Sequence, residues 1–181
     1  DYIFLPAGMP RSDNFSFAAW VYWRGGYASL FDTSGPTNQL SLRIANSGLA
    51  SFAVMYNSQS QVVWGPTLPH NTWAHLALSC QGTSCVIYLN GVAATQGTIT
   101  HRLSQAAGNM WTFGQLLNGQ LSDVRAFSRG LSAAEVQSVW RGSRALISLP
   151  LDDNFAIGGS VRPDASGWNR TAMLNTGPDD T

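Results

Sequence analysis

The chain has 181 residues, 44% of them hydrophobic and only 11% charged, with a formal net charge of zero. The charged fraction is less than half of the ~25% usual in globular proteins, so the surface must be built mainly from Ser, Thr, Asn, Gln and Gly. All ten basic residues are Arg, spread from Arg11 to Arg170 without a dense run, which excludes the global field and basic tracts that nucleic acid or an anionic membrane would select. No apolar stretch approaches the ~18–20 residues of a membrane span, so direct membrane insertion is not expected. No signal peptide is visible, and Asp1 is not a translation start; a mature chain or a segment of a longer one is expected.

Strand-like runs recur between turn signals. "FSFAAWVYW" (15–23) is followed by "YASLFDT" (27–33), "QLSLRIA" (39–45), "LASFAVMYN" (49–57) and "QVVWG" (61–65), with Gly35–Pro36 and Asn46–Gly48 supplying turns. The stretch "NTWAHLALSCQGTSCVIYLNG" (71–91) reads as a hairpin around the loop Gln81 to Ser84. Pairing Cys80 with Cys85 places Leu78 opposite Ile87 and Leu76 opposite Leu89, so these six residues share one apolar side. His75, Ala77, Ser79, Val86, Tyr88 and Asn90 fall on the mixed side, and a slip of one residue would destroy the division. Opposed residues of an antiparallel pair lie within disulfide range. A disulfide is therefore the preferred reading, with two reduced buried thiols as the alternative. It would point to an oxidising compartment. Two cysteines and three scattered histidines form no recognisable zinc set, and the spacing is not that of a redox Cys-x-x-Cys.

Two further runs, "NMWTFGQ" (109–115) and "GQLSDVRAFSR" (119–129), complete an antiparallel all-β pattern. One helix is predicted near 132–140. Ser132 and Glu135 form a capping box, Leu131 and Val136 a hydrophobic staple, and Val136, Val139 and Trp140 an apolar stripe for docking on the sandwich.

Taken in order, "FSFAAWVYW", "NTWAHLALS", "VIYLNGV" and "GQLSDVRAFSRGLSAAEVQSVW" resemble the laminin-G-like, concanavalin A-like jelly-roll family over most of residues 1–142. The resemblance implies a two-sheet antiparallel jelly-roll sandwich with one short helix. It also implies roles in carbohydrate binding, adhesion or domain contact, often with a structural calcium ion. The segment 143–181 departs from the usual order: 147–174 resembles the opening of such a domain, and "DYIFLP" (1–6) a strand that normally follows that opening. The tail is expected to fold back and complete the same sandwich in permuted order. The alternatives are that it begins a further repeat or is donated as a strand to a neighbour.

Catalytic residues are not expected. Glycoside cleavage by acid–base chemistry requires two carboxylates flanking the bond. Glu135, the only Glu, is already a cap, and adjacent Asp152 and Asp153 would point to opposite faces of a strand. A lyase-type set could be drawn from His75, Tyr88 and Arg43, but nothing in the sequence brings them together, and His75 reads as a packed, hydrogen-bonded residue. The resemblance offers Asp123 and Asp164 as calcium ligands; the alternative is that they cap turns or pair with Arg125 and Arg162. Among the seven Trp, residues 20, 73 and 140 are expected in the core. Trp23, Trp64, Trp111 and Trp168, near strand ends or turns, are the candidates for stacking on sugar rings. Asn14 and Asn169 match the glycosylation acceptor pattern. The leading expectation is a non-catalytic extracellular or cell-surface recognition module binding a glycan or a protein partner. A structural subunit of a surface filament or repeat array, contacting its neighbouring copies through 143–181, is the alternative, and a glycan-active enzyme the third.

Overall fold

The computed structural model describes residues 2–5, 13–33, 35, 37–106 and 111–142, and the strands at 148–149, 162–163 and 171–175. Its elements are β1 (Tyr2–Leu5), β2 (Phe15–Trp23), β3 (Ala28–Thr33), β4 (Gln39–Ile44), β5 (Leu49–Tyr56), β6 (Gln59–Thr67), β7 (Trp73–Gln81), β8 (Ser84–Leu89), β9 (Val92–Thr98), α1 (Leu103–Ala106), β10 (Trp111–Gln115), β11 (Gly119–Phe127), α2 (Ala133–Gly142), β12 (Ser148–Leu149), β13 (Arg162–Pro163) and β14 (Thr171–Asn175). The strands form two antiparallel sheets. One has the order β13-β14-β1-β10-β3-β4-β5-β6, the other β12-β11-β2-β7-β8-β9. The expected all-β sandwich is present, and β9 and the one-turn α1 are additions to it. Among the described residues no helix is long and apolar enough to cross a membrane.

The core follows from strand parity. In β2 the odd residues Phe15, Phe17, Ala19, Val21 and Trp23 point between the sheets, where all five are buried. Phe17 meets Phe31 of β3 at 5.0 Å between ring centroids, and Trp111 lies 5.4 Å from Phe31 and 5.6 Å from Phe15. Tilted contacts of this kind suit aromatic quadrupoles and contribute about 0.5–1.5 kcal/mol each beyond burial. Along one side the sheets close against each other through glycine. A Cβ built on Gly97 of β9 would stand 2.6 Å from a Val63 methyl of β6, so a larger residue there would force the two edges apart.

The hairpin of β7 and β8 has the expected register: Leu76↔Leu89, Leu78↔Ile87 and Cys80↔Cys85. Cys80 and Cys85 are joined by a disulfide and wholly buried. The ladder runs one pair further than the sequence suggested, to Gln81↔Ser84, leaving Gly82 and Thr83 as the turn. Gly82 supplies its positive φ of 58°.

Helix α2 seats on the outer face of the six-stranded sheet. Leu131 and Val136 form a second small core with Ala18, Ala77 and Tyr88, against which Val86, Phe127 and Val139 pack. Its start is the predicted capping box. Glu135 Oε2 accepts from the Ser132 N–H (2.8 Å), and Ser132 Oγ accepts from the Glu135 N–H (3.3 Å). Arg129 adds an exposed ion pair to Glu135 at 2.7 Å. Two buried serines of the sheet latch the chain just before this helix. Ser16 Oγ accepts from the Leu131 N–H (2.9 Å) and donates to the Arg129 carbonyl (2.9 Å), while Ser79 Oγ donates to the Leu131 carbonyl (2.7 Å). Beyond α2, β12 pairs with β11 and β14 with β1, extending each sheet at one edge.

Replacing Ser79 with Ala should leave the Leu131 carbonyl buried without a donor and cost about 1–3 kcal/mol. Urea denaturation should show this loss, while Ser138→Ala on the exposed side of α2 should stay within about 0.5 kcal/mol.

Candidate functional site

The outer face of the eight-stranded sheet carries the most exposed tryptophan among the described residues. Register places Arg43 of β4 beside Ser51 of β5 and Ser51 beside Trp64 of β6. The adjacent row runs Asp32, Ser41, Ala53, Val62. Small residues on β4 and β5 therefore make a shallow floor. Trp64, 58% exposed, and Val62 stand along the edge strand on one side, and a polar cluster stands on the other. In that cluster both oxygens of Asp32 accept from Gln39 Nε2 (2.8 and 2.9 Å). Arg43 Nη2 donates to Gln39 Oε1 (2.8 Å) and lies 3.4 Å from Asp32 Oδ2. A flat apolar ring opposite fixed, planar hydrogen-bonding groups is a surface suited to a ligand with one apolar face and a hydroxylated rim.

The six-stranded sheet holds a different arrangement. Its outward residues beyond α2 are Trp20 paired with His75 and Tyr22 paired with Trp73, with Ser122 and Gln120 alongside on β11. His75 is 1% exposed, with its ring edge-on to Trp20 at 5.5 Å. Asp123 sits at a bulge of β11 with φ of 50°, a left-handed conformation that Asp and Asn tolerate better than most residues. Its Oδ1 accepts from Arg125 Nε at 2.6 Å.

The family model for the concanavalin A-like lectin/glucanases superfamily, of laminin G type 3, matches residues 1–137. The chain belongs to this superfamily. No curated protein matches the chain. Among solved structures, the laminin-G-like chain resembles the binding domain of botulinum neurotoxin serotype D at a TM-score of 0.67 and 16% identity, over 79% of this chain and 41% of that one. It resembles the heptameric pentraxin of Limulus polyphemus at 0.58 and 15%, over 77% and 75%. It resembles botulinum neurotoxin type C, whose cell entry depends on two ganglioside molecules, at 0.60 and 13%, over 71% and 35%. The chain thus spans little more than a third of that toxin structure, and at such identities the likeness concerns the fold.

Within the laminin-G-like sandwich the tryptophans are not distributed as their sequence positions suggest. Trp23 and Trp111, expected at a ligand, are core residues. Trp23 is completely covered and donates its indole N–H to the Gly26 carbonyl at 2.9 Å, and Trp111 packs among Phe15, Phe31 and Phe113. Trp73, expected in the core, is 40% exposed, and Trp20 lies half-buried on the same outer face. Trp140 covers Gly91, where a Cβ would stand 2.6 Å from its ring. Strand parity decides each case, because Trp23 shares the inward phase of Phe17 while Trp73 shares the outward phase of His75. Trp168, Asp164 and Asn169 lie outside the described residues. Asn14 is exposed, and its Oδ1 accepts from the Gly82 N–H at 2.8 Å.

The three groups weighed for lyase chemistry do not meet, because Arg43 is on the outer face of one sheet and His75 and Tyr88 are on the other. Glu135 is occupied by the cap and Arg129. A calcium ion would need several oxygen ligands, from carboxylates, amides and backbone carbonyls. Asp123 instead holds the Arg125 guanidinium, and among the described residues no three His, Cys, Asp or Glu side chains come together. Asp123 Oδ2 is buried without a hydrogen-bond partner among the described residues, and its proposed companion Asp164 lies outside them.

Burial pushes the His75 imidazolium down from 6.5 to about 4; the Asp123 charge opposes this and Arg125 reinforces it. The unfolded chain takes up a proton near pH 6.5 that folded His75 refuses until about 4. Stability should be complete above pH 6.5 and fall as pH drops toward 4, by about 3 kcal/mol if the whole shift is expressed. Denaturation midpoints across that window should show the slope in the wild type and its loss in His75→Gln. Asp13, held below its ordinary 3.8 by Ser104, acts only in a lower window.

Proposed function

We propose that this chain is a non-catalytic extracellular recognition module that binds glycan across the outer face of β4, β5 and β6. The observation that carries this is the exposed Trp64 ring, set one strand from a small-residue floor and two strands from the hydrogen-bonded Asp32–Gln39–Arg43 cluster. A pyranose offers an apolar C–H face to the indole and hydroxyls to the cluster. The cluster's internal bonds keep its planar groups in place before the ligand arrives, which lowers the ordering cost of binding. The low charge of the chain favours hydroxyl recognition over ionic attraction. The superfamily to which the chain belongs includes lectins, and gangliosides are named for one toxin of similar fold. The buried disulfide supports an oxidising, extracellular setting.

Trp64 lies on the surface, so Trp64→Ala should leave the fold intact. On a glycan array followed by calorimetry, this variant should lose affinity for the retained glycan by about tenfold or more, with an unchanged melting temperature. Wild-type affinity in the variant would remove this face from the function.

A further inference from the structure

The outer end of the six-stranded sheet carries a second aromatic surface with a different electrostatic character. Tyr22 and Trp73 are register partners whose rings lie 5.6 Å apart at 55°. The Arg24 guanidinium lies over the Tyr22 ring, 5.6 Å from its centroid. Arg24 is exposed and, like Arg102 and Arg141, forms no ion pair with a carboxylate among the described residues, whereas Arg43, Arg125 and Arg129 each have one. The surrounding loops are stitched together: the Arg24 N–H bonds the Asn118 carbonyl at 2.9 Å, and the Asn71 N–H bonds the Trp23 carbonyl at 2.8 Å. Residues 24–27, 68–72 and 116–118 contain no Asp or Glu. The nearby acid of β11, Asp123, is 5% exposed and committed to Arg125.

This combination specifies a ligand. A guanidinium resting on an aromatic face keeps its N–H edge free for a planar anion, which it can bind through two parallel bonds. The neighbouring indole offers a flat apolar surface one ring away. A single cation matches a single acidic group, so a sugar ring bearing one carboxylate or sulfate fits better than a peptide with a run of acidic side chains. We propose that Tyr22, Trp73 and Arg24 form a second site that takes an acidic saccharide, with the sugar ring on Trp73 and its anionic group on Arg24. This site is on the opposite face of the sandwich from Trp64 and does not rest on the Trp64 reading.

The test is a panel of sialylated, uronic and sulfated oligosaccharides, each beside its neutral counterpart, titrated into the full 181-residue chain and into Arg24→Gln, Trp73→Ala and Trp64→Ala. At least one acidic member should bind more tightly than its neutral counterpart and weaken with added salt. Arg24→Gln and Trp73→Ala should each reduce that binding by about tenfold, while Trp64→Ala should leave it within about twofold. Thermal melts check that the variants remain folded, and Arg24→Lys gives a second reading at a position where its charge survives without the fork. No preference for any acidic member overturns the proposal. So does binding unaffected by both Arg24→Gln and Trp73→Ala, or a poly-acidic peptide that displaces every saccharide. An acidic saccharide whose binding is lost in Trp64→Ala but kept in both Arg24→Gln and Trp73→Ala would belong to the other face and overturn this proposal.

Discussion

The pairing of β2 with β7 decides which way the side chains at the centre of the six-stranded sheet face. Phe17 lies beside Leu78, Ala19 beside Leu76 and Val21 beside Ala74, all turned to the core. Between them, Ser16 lies beside Ser79, Ala18 beside Ala77, Trp20 beside His75 and Tyr22 beside Trp73, all turned outward. A slip of one residue would bury Trp20 and Tyr22 and expose Phe17 and Val21, so the apolar core enforces this register. The buried disulfide ties β7 to β8 in the same phase, which carries the assignment across to the next strand.

The outward residues of these two strands grade from small to large. Ser16, Ser79, Ala18 and Ala77 leave room for a helix, and α2 takes it, its Val136 and the preceding Leu131 filling the space above the two alanines. The serine hydroxyls satisfy the backbone groups of Leu131 that the approach to the helix would otherwise bury unpaired. Further along, Trp20, Tyr22 and Trp73 are too large to seat a helix. A helix about 10–12 Å across covers two or three strands and no more. The aromatic end of the sheet is therefore what the helix leaves uncovered. One gradient of side-chain size both docks α2 and leaves a surface free to bind.

Much of this was legible in the sequence because the signals were local and periodic. Alternation gave the strands, Ser132 and Glu135 gave the start of α2, and the parity of Cys80 and Cys85 gave their bond. The tryptophans were misplaced where closeness to a strand end was weighed above phase: Trp23 ends β2 yet keeps the inward phase, and Trp73 begins β7 in the outward one. Strand β9, "VAATQGT", was not visible because its residues are mostly exposed and show no apolar alternation, while its contact with β6 is made at a glycine, Gly97. The bulge at Asp123 left no mark beyond an Asp in a strand. The Asp32–Gln39–Arg43 cluster is set by the β3–β4 pairing, whose irregularity between Ser29 and Phe31 no propensity announces.

The two aromatic surfaces differ in what surrounds them. At Trp64 the nearby charges, Asp32 and Arg43, are held against each other, so the field they present is small and the surface is one of hydrogen bonds. At Trp73 the cation has no carboxylate paired with it among the described residues. In a chain with no lysine and only three ion pairs among its described residues, one unpaired guanidinium faces little competition from neighbouring carboxylates. The sheets pack about 10 Å apart, and both aromatic surfaces face away from the layer between them. A single small ligand cannot touch both. Two sites so placed would bridge two ligands on opposite sides of the sandwich, and linkage would strengthen binding only where both can be engaged at once. A shallow face on each side of a thin sandwich provides two such sites without a cavity in the core.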